Sequence, residues 1–99
     1  MGGLTKASRI RDIALAHGID IFVMATGGSV LADTEALHLA ATIPDDNMLG
    51  VWACQDMITA EIADGAGPRA NNGHLRLPEQ PGLGVHPQES TLTKVARYE

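Results

Sequence analysis

Residues 19–54 read IDIFVMATGGSVLADTEALHLAATIPDDNMLGVWAC, and this stretch decides the fold. Ile19 to Ala25 sets Ile21, Phe22, Val23 and Met24 in unbroken succession, without the polar alternation of a strand that has one wet face. Such a run predicts a strand covered on both faces, the kind that belongs to parallel sheets. Thr26, Gly27, Gly28 and Ser29 read as a turn. Val30 to Thr42 follows as a helix, with Val30, Leu31, Leu37 and Ala40 among Ala-rich helix formers and Pro44 marking its end. Asp45, Asp46 and Asn47 are turn residues, and Met48 to Cys54, carrying Val51 and Trp52, is a second apolar strand.

Working outward, residues 5–17 place Ala7, Ile10, Ile13, Ala14 and Ala16 at helical spacing, with Thr5 as N-cap, His17 in the last turn and Gly18 as the stop. The order is helix, strand, helix, strand. Strands alternating with helices predict parallel pairing through right-handed crossovers, the unit of a doubly wound sheet or a (β/α)8 barrel. From about Gly65 the character changes, for Pro68, Pro78, Pro81 and Pro87 lie there with Gly65, Gly67, Gly73, Gly82 and Gly84. Asn72 and Gly73 suit a tight turn, His74 to Leu77 alternates as a short half-exposed strand would, and Pro81 to Val85 form another turn. The chain therefore divides into residues 1–59 and a loop-rich segment, 60–99.

Ninety-nine residues make one domain or a fragment of one, and with Phe22, Trp52 and Tyr98 the only aromatic residues, an independent core would be thin. A net charge of −5 with scattered basic residues argues against nucleic acid as a partner. No apolar run approaches a bilayer span, so no membrane partner is expected. A single cysteine, and a start without the blocks of a signal peptide, point to the cytoplasm.

Three stretches together, GGLTKASRIRDIALAHGI, HLAATIP and NGHLRLPEQPGLGV, resemble the C-terminal region of the mandelate racemase and muconate lactonizing enzyme branch of the enolase superfamily. MATGGS and WACQDMIT are most similar to the group acting on proline-like amino acids, including cis-3-hydroxyproline dehydratases. The resemblance implies an α/β fold, part of a (β/α)8 TIM barrel. Residues 4–56 would supply its sixth helix, seventh strand, seventh helix and eighth strand, and the loop-rich tail would return to the capping domain. It also implies abstraction of the proton α to a carboxylate, with a Lys or His base and Mg²⁺ stabilising the ene-diolate. In the family the three carboxylates that hold the metal stand on the third, fourth and fifth strands and a Lys pair follows the second, all of them before Met1. On this reading Mg²⁺ belongs to a complete parent enzyme, a lyase or racemase with dehydration preferred. No cofactor is expected for this chain alone, which is a fragment and inactive by itself.

The candidate site residues are Thr26, Gly27, Gly28, Ser29, Cys54 and Asp56, all substrate-binding, with no catalytic residue and no metal ligand among the 99. Thr26 to Ser29 joins a strand end to a helix start, where backbone N–H groups and the helix dipole can receive a substrate carboxylate; the same residues also suit a plain turn with Ser29 as N-cap. Some family members carry a His base at the end of the seventh strand, but Met24, Ala25 and Thr26 stand there, and none works as a base near neutral pH. Strand alternation would put Trp52, Cys54 and Asp56 on one side, with Asp56 accepting from a substrate ammonium and Cys54 lining the pocket. The structural alternative makes Trp52 and Cys54 core and Asp56 the cap of a turn. His17, His38, His74 and His86 have no zinc spacing and read as surface residues, and Asp45 and Asp46 as a solvated turn. The implied partners are a small carboxylic-acid substrate and the N-terminal part of a barrel. A rival of another class is a non-catalytic, self-associating α/β module that binds a small anion, since two apolar strands would otherwise expose their edges.

Overall fold

The computed structural model describes residues 2–25, 27–63 and 67–98. The first helix, α1, runs over Leu4–Ala16. Its N-cap is Gly3, at φ 83°, so Thr5 lies inside the first turn and does not cap it. The C-terminus closes as expected on Gly18, at φ 66°: the Gly18 N–H donates to the Leu15 carbonyl at 3.1 Å and the Ile19 N–H to the Ala14 carbonyl at 2.9 Å. That pair of bonds is a Schellman motif, which needs a residue free to adopt positive φ.

β1 (Ile21–Met24), α2 (Val30–Ala40) and β2 (Met48–Trp52) follow, with one turn of 3₁₀ helix at Asp45–Asn47 leading into β2. The two strands pair in parallel: Ile21 faces Met48, Phe22 faces Gly50, Val23 faces Val51 and Met24 faces Trp52. The register slips by one residue between Ile21 and Phe22, leaving Leu49 as the extra residue. A β-carbon on Gly50 would stand 3.0 Å from Phe22 Cε2, so glycine there lets the Phe22 ring lie across the partner strand.

One face of this sheet is the core. Val23 packs with Ala40 and Ile43, and Leu15, Ile21, Ala36, Leu39, Met48 and Val51 close around them. The opposite face is open, with Phe22 50%, Met24 51% and Trp52 43% exposed. The expectation that both faces are covered therefore holds for one. Two strands cannot enclose an interior; in a closed barrel it is the other strands that fill the space this face looks into.

The loop-rich segment is fastened to the start of α2, where Val30, Ala63 and Val85 form a second buried cluster supported by Leu31 and Leu83. His38 is half-buried rather than a surface residue, because its Nε2 lies 3.0 Å from the Leu83 carbonyl oxygen and ties α2 to that loop. His17, His74 and His86 are exposed. Asn72 and Gly73, at φ 51° and 77°, make the expected turn, and Asn71 and His74 exchange both backbone bonds across it. No strand continues over His74 to Leu77, since Pro68 and Pro78 withhold amides from any longer ladder. Asp45 and Asp46 are exposed. No helix is long and apolar enough to cross a membrane among the described residues.

Candidate functional site

Because β1 and β2 run in the same direction, the segments that follow them emerge side by side. The Ala25 N–H donates to the Trp52 carbonyl at 3.2 Å, and the Cys54 thiol donates to the Ala25 carbonyl at 2.9 Å, so the strand ends are stitched together past the last ladder residues. Gly27 and Gly28 are exposed. Gly27 sits at φ 71°, and a β-carbon on Gly28 would stand 2.8 Å from Ala32 Cβ, so the second glycine is required by close approach to the helix. Ser29 is the N-cap of α2 in extended conformation, but its side chain makes no capping bond; its carbonyl accepts the Asp33 N–H at 3.1 Å. The first three amides of α2 are thus left without helical partners, facing the loop. Thr26 lies outside the described residues.

After Trp52 the alternation stops. Cys54, at φ −96° and ψ 12°, has left the extended region and caps a turn of 3₁₀ helix at Gln55–Met57. Trp52, Cys54 and Asp56 therefore do not share one side: Trp52 is exposed on the open sheet face, Cys54 is buried at 1% exposure, and Asp56 is exposed on the turn. Gln55, between Cys54 and Asp56, is buried.

What holds this turn is a residue that sequence reasoning missed. Asp33, in the first turn of α2, has no exposed surface, and its Oδ2 accepts the Cys54 N–H at 2.8 Å and Gln55 Nε2 at 2.5 Å. Asp33 Oδ1 and Gln55 Oε1 have no partner among the described residues. The one available signal was an acidic residue in the first helical turn, a position that ordinarily reads as helix-dipole complementation in solvent. Thr34, beside it, is equally buried and returns its hydroxyl to the Val30 carbonyl at 2.6 Å.

No group of three or more His, Cys, Asp or Glu converges as a metal site among the described residues, so these side chains do not fit Mg²⁺. A cavity of about 590 Å³ lies elsewhere, between α1, β1 and α2, with a mainly apolar lining that includes Leu4, Ala7, Ile10, Phe22, Met24 and Ala36. It holds none of Ser29, Cys54 or Asp56.

Residues 1–91 match the family described as enolase C-terminal domain-like. The chain is 36% identical, over 99% of its length, to the cis-3-hydroxy-L-proline dehydratase of Roseibium aggregatum, of which it covers 27%. A solved structure from Silicibacter pomeroyi, described as of the mandelate racemase/muconate lactonizing enzyme kind, is 72% identical with a TM-score of 0.86, over 94% of this chain and 26% of that one. An enolase-superfamily member from Roseovarius nubinhibens ISM, solved in complex with magnesium, is 40% identical with a TM-score of 0.92, over 100% of this chain and 27% of that one. The chain thus spans about a quarter of the length of these relatives.

Proposed function

The chain belongs to the enolase C-terminal domain-like family, and from that premise we propose that it is the closing part of a (β/α)8 barrel enzyme that abstracts the proton α to a carboxylate of a small hydroxy or amino acid. Dehydration of a hydroxylated proline is the preferred reaction, supported by the similarity to the Roseibium aggregatum dehydratase. We place the activity in the cytoplasm. The observation that carries the reading is the parallel pairing of β1 and β2, which opens the Gly27–Ser29 loop and the Gln55–Met57 turn at one end. In barrels that end holds the active site.

In this reading the amides at the start of α2 that have no helical partner among the described residues, with Gly27, Gly28 and Ser29, receive the substrate carboxylate, and Thr26, next to them in sequence, is assigned the same role. Asp56 accepts from the substrate's ring N–H. Cys54 enters as a buried support of that end rather than as a group on its surface. Met24 and Ala25 supply no base, so the chain binds and orients while other parts of a complete barrel hold Mg²⁺ and move the proton. Mg²⁺, when bound there, stabilises the charge that develops on the substrate carboxylate.

The test is a hybrid in which residues 1–99 replace the matching quarter of the Silicibacter pomeroyi protein, assayed for α-proton exchange and dehydration of cis-3-hydroxy-L-proline in D₂O. Turnover by the hybrid and none by the chain alone is expected. A folded hybrid inert toward hydroxylated prolines would overturn the substrate class, and α-proton loss with the chain alone would overturn the fragment reading.

The open sheet face favours a second reading. Phe22, Met24 and Trp52 are all about half exposed on one side, and contiguous apolar surface of this kind is what association covers. A self-associating module binding a small anion at the α2 start would sediment as a concentration-dependent oligomer and stay inactive in every hybrid.

A further inference from the structure

We propose that Asp33 is a positioning residue for this site: from inside the fold, its carboxyl group sets the course of the chain from Cys54 to Met57 and so fixes where Asp56 stands at the mouth. The substrate role of Asp56 rests on the reading above, whereas the positioning itself does not.

Asp33 has no exposed surface, and Oδ2 is committed twice, to the Cys54 N–H at 2.8 Å and to Gln55 Nε2 at 2.5 Å. A buried polar side chain is costly unless bonded, and one acceptor bonded to two consecutive residues determines both their separation and their orientation. Cys54 is where β2 leaves the extended conformation, and Asp56 is the second residue of the turn that follows. Two independent anchors hold Cys54, since its amide goes to α2 and its thiol to Ala25 at the end of β1. The turn carrying Asp56 is therefore held to the helix and strand that also carry the Gly27–Ser29 loop. The two halves of the site move as one body. Asp33 makes no contact with a substrate, being covered even where the strand ends are open.

The experiment follows amide hydrogen exchange in the ¹³C,¹⁵N-labelled 99-residue chain. In Asp33→Ala, which removes the acceptor, exchange at Cys54 and Met57 should accelerate about tenfold, the size of one lost hydrogen bond, while Val23 and Val51 in the ladder keep their rates. No change at Cys54, or equal acceleration at Val23 and Val51, would overturn the proposal, the latter because it marks a general loss of stability. Should Asp33→Ala fail to fold, Gln55→Leu removes the second donor and leaves the Cys54 bond in place. Exchange should then rise at Met57 and the Asp56 carboxyl ¹³C resonance should shift, with Cys54 still protected; an unmoved Asp56 signal would end the idea. In the hybrid enzyme, Asp33→Ala should raise KM for cis-3-hydroxy-L-proline more than it lowers kcat, and a fall in kcat alone would count against it. An inactive wild-type hybrid would sink the substrate reading and leave the exchange result to decide the positioning.

Discussion

Val30 and Gly67 meet so closely that a β-carbon added to Gly67 would stand 1.7 Å from Val30 Cγ2. Val30 belongs to the cluster with Ala63 and Val85 that seats the loop-rich segment on α2, so this approach controls whether the segment docks. Gly67→Ala is expected to cost about 1–3 kcal/mol as overpacking, read as a lower urea midpoint. Gly73→Ala, with nothing within 4 Å of its added carbon, should cost only the backbone penalty of its φ of +77°.

Asn72, at φ 51°, offers a cleaner measure of backbone preference, since it is exposed and sits in a two-residue turn. Asn72→Ala should destabilise by about 1 kcal/mol, and Asn72→Gly should be close to neutral. Paired thermal melts check both; an Ala variant as stable as the wild type would contradict the turn geometry.

Cys54 is buried and donates to the Ala25 carbonyl. Iodoacetamide should fail to label it in native buffer and label it fully in denaturant, as expected of a covered thiol. Cys54→Ala strips the carbonyl of its donor, at a cost of about 1–3 kcal/mol, whereas Cys54→Ser should recover part of that by donating again.

His38→Ala removes the tie to the Leu83 carbonyl and should cost about 1 kcal/mol. The loss should be local: exchange at Val85 rises while Val23 keeps its rate. His38→Gln, which retains an N–H donor, should restore much of the protection.

Trp52 is 43% exposed on the open sheet face. Its fluorescence should be red-shifted and quenched by iodide in the chain alone, then shift to the blue in the hybrid barrel. If the chain self-associates through this face, Phe22→Ser with Met24→Ser should lower the sedimentation coefficient at high concentration without shifting the melting of the core around Val23.

The helices and strands were legible because each is specified by neighbours along the chain. Ala7, Ile10 and Ala14 recur at helical spacing, Gly18 ends the first helix, and the apolar runs around Val23 and Val51 mark the strands. The site was half legible. The Gly27–Ser29 loop and Asp56 lie at one end of the sheet, but the strand period was carried four residues too far, through Cys54 to Asp56. Where a strand ends depends on what its last amides bond to. For Cys54 that partner lies 21 residues away.

Residue order alone therefore determined the succession of elements, the parallel pairing and the family to which they belong, since hydrophobic period, glycine placement and chain direction are local properties. Only the tertiary structure decided that Asp33 is buried beneath the strand ends, that His38 is tied to Leu83, and that one sheet face is packed while the other lies open. Those facts come from contacts between distant segments. A carboxyl, an imidazole or an apolar ring is assigned to interior or surface by what folds against it, which no periodicity encodes.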